Sequence, residues 1–131
     1  MAANTRQSGP DDDWLAKVEE PILDPDLAIV DPHHHLWLRS GYTYLMPELA
    51  ADMASGHNVV ATVFAECHSM YRQGGPEAER SLGETEFVTG QAAMSDSGGF
   101  GPTQACAVMF GNVDMTLGEG VEPLLERHIA A

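Results

Sequence analysis

Three short, continuous apolar runs alternate with stretches of helical periodicity along the chain. The runs occupy residues 27–30, 59–65 and 106–110, and the first two are rich in β-branched side chains. Uninterrupted runs of this length are typical of strands buried on both faces, which is the pattern of parallel sheets. The pattern therefore predicts three strands, each followed by polar residues.

Each predicted strand is followed by a segment with helical spacing, at residues 47–55, 84–94 and 121–130. In the first of these, Leu49 and Met53 lie four residues apart. Alternation of strands and helices predicts an α/β fold with parallel strands joined by crossover helices. Such folds place their functional sites at the carboxyl ends of the strands.

The chain divides into an N-terminal arm at residues 1–26 and an ordered part at residues 27–131. The arm has no sustained period, and residues 14–20 predict one or two helical turns at most. The ordered part holds about 105 residues, close to three units of a (β/α)₈ TIM barrel at about 31 residues each. We expect either a partial barrel of about three βα units or a small open three-stranded domain.

Charge narrows the range of partners. The chain has 131 residues, with 6 Lys and Arg against 20 Asp and Glu, a formal net charge of −14. This balance argues against nucleic acid and anionic membrane surfaces, both of which select basic proteins. There is no apolar run of about 18 residues and no secretory signal pattern. Two cysteines do not make a disulfide framework, so we expect a cytoplasmic protein that acts on a small molecule.

A histidine triplet directly after the first strand carries the clearest chemical signal. Side chains alternate between the two faces of a strand, so His33 and His35 are expected on one side, together with Asp31. Two imidazoles at this spacing can reach one divalent cation at Zn–N distances of about 2.0–2.1 Å. His34 is expected to point the opposite way and is not predicted to be a ligand.

A third ligand is needed, since catalytic zinc sites usually have three protein ligands. Among the other histidines, His57 lies at the start of the second strand, which is the wrong end. His128 lies in the last helix, where we expect it to be solvated or to complement the helix dipole. Only His68 is near the carboxyl end of a strand.

The segment after the second strand supplies further candidates. Glu66 can orient one of the two metal-binding histidines or form a structural ion pair with Arg72, and Glu66 and His68 are the candidate catalytic residues. Tyr71 and Arg72 are candidate substrate-binding residues, because an arginine can bind a substrate carboxylate in a bidentate manner. Cys67 has no clearly placed base nearby, so a nucleophilic role is not expected.

Two other features are given structural interpretations. Glu84 and Glu86 lie in the first turn of a predicted helix, where carboxylates interact favourably with the helix dipole. Cys106 lies within the third strand and is expected to be a buried, inert thiol.

The heptapeptide Asp-Pro-His-His-His-Leu-Trp at residues 31–37 resembles the opening of the amidohydrolase-2 family. It is most similar to the branch of metal-dependent TIM-barrel hydrolases that includes sugar-lactone and pyrone-dicarboxylate lactonases. The resemblance covers nearly all of residues 27–131 and continues at residues 63–67, 70–72, 83–88 and 122–131.

This resemblance implies a (β/α)₈ barrel in which His33 and His35 bind a divalent metal ion, Zn²⁺ or Mn²⁺. The implied reaction is hydrolysis of a lactone or a related cyclic ester or amide by metal-activated water. Members of the family commonly add histidines from the fifth and sixth strands and an aspartate base from the eighth, and some lactonases work without a metal. Those later residues have no counterpart here, so the chain alone is expected to be incomplete as a catalyst.

Two alternatives remain open from the sequence. The same superfamily contains metal-dependent nonoxidative decarboxylases of aromatic acids, which use the same strand-one histidines. The chain can also be an inactive fragment that binds a metal weakly through Asp31, His33 and His35. The substrate, the metal and the oligomeric state are not determined by the sequence.

Overall fold

The computed structural model describes residues 11–131. In chain order the elements are α1 (Asp12–Leu15), β1 (Ala28–His34), β2 (Trp37–Arg39), β3 (Tyr42–Tyr44), α2 (Met46–Met53), β4 (Asn58–Ala65), α3 (Leu82–Asp96), β5 (Gln104–Phe110) and α4 (Glu122–Ala130). Short 3₁₀ helices occupy Glu77–Glu79 and Met115–Val121. Of the predicted arm, residues 1–10 lie outside the described part, and the remainder contains the single turn of α1.

The predicted alternation of strands and helices is confirmed by a parallel sheet with strand order β1-β4-β5. In the register of β1 against β4, Asp31 is paired with Thr62 and His34 with Phe64. The carboxyl ends of the three strands therefore meet at one edge of the sheet. Within residues 11–131 this sheet is open and forms no closed barrel.

A β-hairpin between β1 and α2 was not predicted. Strands β2 and β3 pair antiparallel, with Trp37 opposite Tyr44. Gly41 lies at the turn with φ of +82°, a conformation that glycine adopts without a steric cost. Strands of three residues are too short to display the period-2 pattern on which sequence-based prediction depends. The Tyr44 hydroxyl donates to Asp52 of α2 at 2.5 Å and so connects the hairpin to the helix.

The core lies where α2 and α3 pack with the sheet. Met46, Leu49 and Met53 form the buried side of α2, and they repeat at the three- and four-residue spacing of one helical face. Phe64 of β4 and Val88 of α3 are almost completely inaccessible to solvent. The side chains that cluster here are Leu36, Met46, Leu49, Met53, Phe64, Val88, Ala105 and Cys106.

The two outer strands leave apolar surface uncovered. Val30 of β1 and both Val108 and Phe110 of β5 are more than half exposed. Neither outer strand has a further partner strand in the described part of the chain. Unpaired strand edges that carry apolar side chains are surfaces to which another strand can add.

No helix among the described residues combines the length and the apolar character needed to cross a membrane.

Candidate functional site

The two alternate histidines of the triplet lie next to each other at the carboxyl end of β1. Nε2 of His33 and Nε2 of His35 are 3.3 Å apart, and the rings meet edge to face with centroids 4.9 Å apart. Both rings therefore lie on the same side of the strand, as alternation predicts. Pro32 is tolerated in this strand because it lies where the ladder of β1 with β4 is interrupted, between Asp31 and His34, on a strand at the edge of the sheet.

The orientation of His35 is fixed from the neighbouring strand. Its Nδ1 lies 2.8 Å from the carbonyl oxygen of Ala65, the last residue of β4. A carbonyl oxygen can only accept, so Nδ1 of His35 is the donor, and in the tautomer with its one proton there Nε2 keeps a lone pair. In that tautomer of His35, Nε2–H of His33 is the donor in the contact between the two rings. A backbone carbonyl on the far ring nitrogen is a common way of orienting a metal-ligating histidine.

The separation of the two nitrogens suits a shared cation. An ion about 2.05 Å from each of two Nε2 atoms that are 3.3 Å apart has an N–metal–N angle of about 107°, close to tetrahedral. Binding requires His33 to transfer its proton from Nε2 to Nδ1. Asp31 turns one carboxylate oxygen to the backbone N–H of His33, at 3.1 Å. Within residues 11–131, no group of three or more His, Cys, Asp and Glu side chains is arranged to hold a metal ion.

His34 points to the opposite side, into the core, as the sequence predicts. Its Nε2 lies 2.9 Å from the hydroxyl of Thr62, and its ring meets Phe64 edge to face. Burial lowers the pKa of His34 below its ordinary value. Among the described atoms, Nδ1 of His34 is buried and has no hydrogen-bond partner. This histidine fills space in the core and lies away from the other two rings.

Glu66 was expected to contact one of the two metal-binding histidines or Arg72, and the structure shows neither contact. Its carboxylate lies 3.9 Å from Nε2 of His68. The Ala65 carbonyl, and not Glu66, fixes the His35 tautomer. Arg72 pairs with Glu86 of α3 through two guanidinium nitrogens, so its ion pair is with the helix.

The loop after β4 is held in an unusual conformation. His68 and Met70 have φ of +60° and +56°, the left-handed region that non-glycine residues rarely adopt. The His68 ring stacks on Tyr71 with centroids 4.8 Å apart, and the Tyr71 hydroxyl accepts a hydrogen bond from Asn112 at 3.0 Å. Side chains from the carboxyl ends of β4 and β5 are thereby connected.

Glu84 anchors this loop, a role that sequence reasoning missed. Its side chain is buried, and one carboxylate oxygen accepts from the backbone N–H groups of Cys67 at 3.0 Å and Ser69 at 2.7 Å. Both contacts join residues that are 15 or more positions apart, so no local spacing could indicate them. Burial and the nearby Glu84 raise the pKa of the Cys67 thiol to about 12, which agrees with the absence of a predicted nucleophilic role.

The prediction of a solvated His128 is wrong. The ring is partly buried between α4 and α3, with Nε2 3.1 Å from the Ser81 hydroxyl and Nδ1 2.8 Å from the Thr85 hydroxyl. The amphipathic pattern of the last helix places His128 near its apolar side, which was the one available signal. His57 is exposed just before β4, at the end of the sheet opposite to the His33 and His35 pair.

Comparisons of the chain with protein-family models, with curated proteins and with solved structures each found no match. The functional argument therefore depends on the geometry of the chain's own residues.

Proposed function

We propose that His33 and His35 form one half of a divalent metal site, for Zn²⁺ or Mn²⁺, in a hydrolase of the amidohydrolase-2 type. The proposed substrates are lactones or related cyclic esters and amides. The observation that carries the proposal is the 3.3 Å separation of the two Nε2 atoms, with the far nitrogen of His35 bonded to a strand carbonyl.

The chain's own residues suit this chemistry in a specific way. A bound cation of this kind polarises a carbonyl group and lowers the pKa of its water toward about 7. His33 and His35 supply two neutral nitrogen ligands, and the Ala65 carbonyl holds the second ring in the required tautomer. Tyr71 lies in the loop after the neighbouring strand and is the residue we assign to the substrate pocket.

We further propose that the sheet is the first part of a (β/α)₈ barrel. Three parallel strands follow one another in chain order across the sheet, and polar residues lie at or just after the carboxyl end of each, at the same edge. Among the described residues the outer edge of β5 has no partner strand, so a further strand can pair with it there. Because a catalytic zinc site takes about three protein ligands, the proposal assigns the remaining ligands to strands beyond this sheet.

Metal titration tests the proposal. Isothermal titration of the purified chain with ZnCl₂ or MnCl₂ is expected to give one ion per chain. Replacement of His33 or His35 by Gln is expected to weaken binding at least about tenfold, since even the loss of a residue that only orients a ligand typically has that effect. His57→Gln is the matched control, because His57 is exposed at the opposite end of the sheet, and it should leave the affinity unchanged.

Two results would contradict the proposal. One is the absence of a site in the wild-type chain, and the other is equal weakening in His57→Gln and the two test variants. The chain alone is expected to bind the metal without opening a lactone ring. Ring opening by the isolated chain at a rate that His33→Gln removes would identify a complete catalyst and overturn the assignment of further ligands to additional strands.

A further inference from the structure

A cavity of about 420 Å³ lies between the loop after β4, the start of α3 and the segment after β5. This volume is in the range of small-molecule sites, about 300–1,000 Å³. The lining side chains are Tyr71, Glu77, Ala78, Ser81, Asn112, Asp114 and Leu117. Neither His33 nor His35 is among them, so the proposed metal ligands lie outside this cavity, and Tyr71 is the one lining residue that the proposed function also uses.

Ser81 contacts an imidazole where it lines this cavity. The residue immediately precedes α3, and its hydroxyl oxygen lies 3.1 Å from Nε2 of His128 on α4. The other ring nitrogen, Nδ1, lies 2.8 Å from the hydroxyl of Thr85. Residues four apart share one face of a helix, so Ser81 and Thr85 together hold the ring between two hydroxyl groups.

The imidazole can act as a base in this position. Burial lowers the pKa of His128 below its ordinary value of 6.5, and the positive charges of Arg127 and Arg72 act in the same direction. The ring is therefore neutral at pH 7, with one donor nitrogen and one acceptor nitrogen. When Nδ1–H donates to Thr85, Nε2 is the acceptor that faces the Ser81 hydroxyl.

We propose that Ser81 is a nucleophile, with His128 as its general base, in a second site that takes small neutral or cationic esters. An activated nucleophile needs a base within hydrogen-bonding distance and a third group that orients this base. Here Ser81 is the hydroxyl, His128 is the base and Thr85 orients it. Ser81 Oγ forms a bond to the acyl carbon and its proton passes to His128 Nε2. The bond to the leaving alkoxide breaks, and the alkoxide takes that proton as it departs. Water then attacks the acyl carbon and its proton passes to His128 Nε2. The bond from that carbon to Ser81 Oγ breaks, Oγ takes the proton from His128, and the acid is released.

The lining of the cavity sets the charge of the substrate. Glu77 and Asp114 contribute carboxylates, and no Lys, Arg or His side chain lines the cavity. Hydrogen bonds from Thr116 lower the pKa of Asp114 and favour its ionised form. Anionic esters are therefore disfavoured. Asn112 uses one of its two Nδ2–H bonds on Tyr71, which leaves the other available for a substrate carbonyl oxygen.

A fluorophosphonate probe with an uncharged alkyl chain tests this proposal on the whole chain. Ser81 Oγ would form a bond to phosphorus, fluoride would leave, and His128 would take the serine proton. Mass spectrometry of the intact protein and of its peptides is expected to find one label, on Ser81. Ser81→Ala should abolish labelling. Ser97→Ala is the matched control at the exposed end of the same helix and should react like the wild type.

His128→Gln is expected to slow labelling by at least about 100-fold, the usual contribution of a general base. Addition of EDTA should leave the rate of labelling of the wild-type chain unchanged. A wild-type chain that stays unlabelled, or that is labelled on another residue, overturns the proposal, and this result does not depend on how any variant folds. Labelling of folded His128→Gln, verified by circular dichroism, at the wild-type rate also overturns it.

Discussion

Two glycines of α3 should respond in opposite directions to the same substitution. A methyl group built on Gly83 would lie 2.4 Å from the carbonyl oxygen of Met70 and 2.8 Å from the backbone nitrogen of Arg72. The same group on Gly90 would meet nothing within 4 Å. Gly83→Ala is therefore expected to destabilise the fold, whereas Gly90→Ala, on the exposed part of the same helix, should stabilise it.

The magnitudes follow from general costs of packing and backbone entropy. Replacing an exposed glycine inside a helix by alanine raises the free energy of unfolding by about 0.5–1 kcal/mol. At Gly83 the neighbouring atoms belong to the backbone and cannot rotate away, so the loop must move as a unit. Overpacking of this kind costs about 1–3 kcal/mol. The two variants should therefore differ by about 1.5–4 kcal/mol in the free energy of unfolding, or roughly 6–16 °C in Tm.

Urea denaturation followed by circular dichroism at 222 nm measures both variants against the wild type. A second readout is the NMR signals of the Tyr71 ring, which should shift in Gly83→Ala alone because the displaced loop carries this ring. If Gly83→Ala stabilises the protein as much as Gly90→Ala does, the close approach of α3 to residues 70–72 is wrong. The placement of the loop that carries the candidate site residues would be wrong with it.

Two further predictions concern titrating groups. Because the pKa of His128 is lowered in the folded state, the unfolded chain binds a proton first as the pH falls through 6.5. The free energy of unfolding should then decrease toward acid, by up to about 1.4 kcal/mol per pH unit for this group. His128→Gln should reduce that slope in urea titrations between pH 7 and pH 5, and an unchanged slope would contradict the buried neutral ring. The thiols of Cys67 and Cys106, with pKa values raised to about 12 and about 11 by burial, should react slowly with Ellman's reagent at pH 8. Both should react at once in 6 M guanidinium chloride, and rapid reaction of the folded chain would contradict their placement.

The elements themselves could be read from local pattern. The apolar runs at residues 59–65 and 106–110 become β4 and β5, and the segment 84–94 lies within α3. These assignments succeed because continuous apolar runs favour strands and apolar positions three or four residues apart favour helices, and a single segment displays either pattern. The same logic places His33 and His35 on one side of β1 and His34 on the other, since alternation is a property of any strand.

Only the tertiary structure decided which groups meet. The Ala65 carbonyl and the His35 ring that it contacts are 30 positions apart. The Glu84 carboxylate accepts from backbone groups 15 and 17 positions away. The His128 ring contacts two hydroxyl groups 43 and 47 positions away. Their geometry depends on how β1, β4, α3 and α4 pack, and packing is a property of several segments at once. Sequence pattern thus determined the faces of the elements, whereas the partners of each polar side chain came from the assembly of those faces around one core.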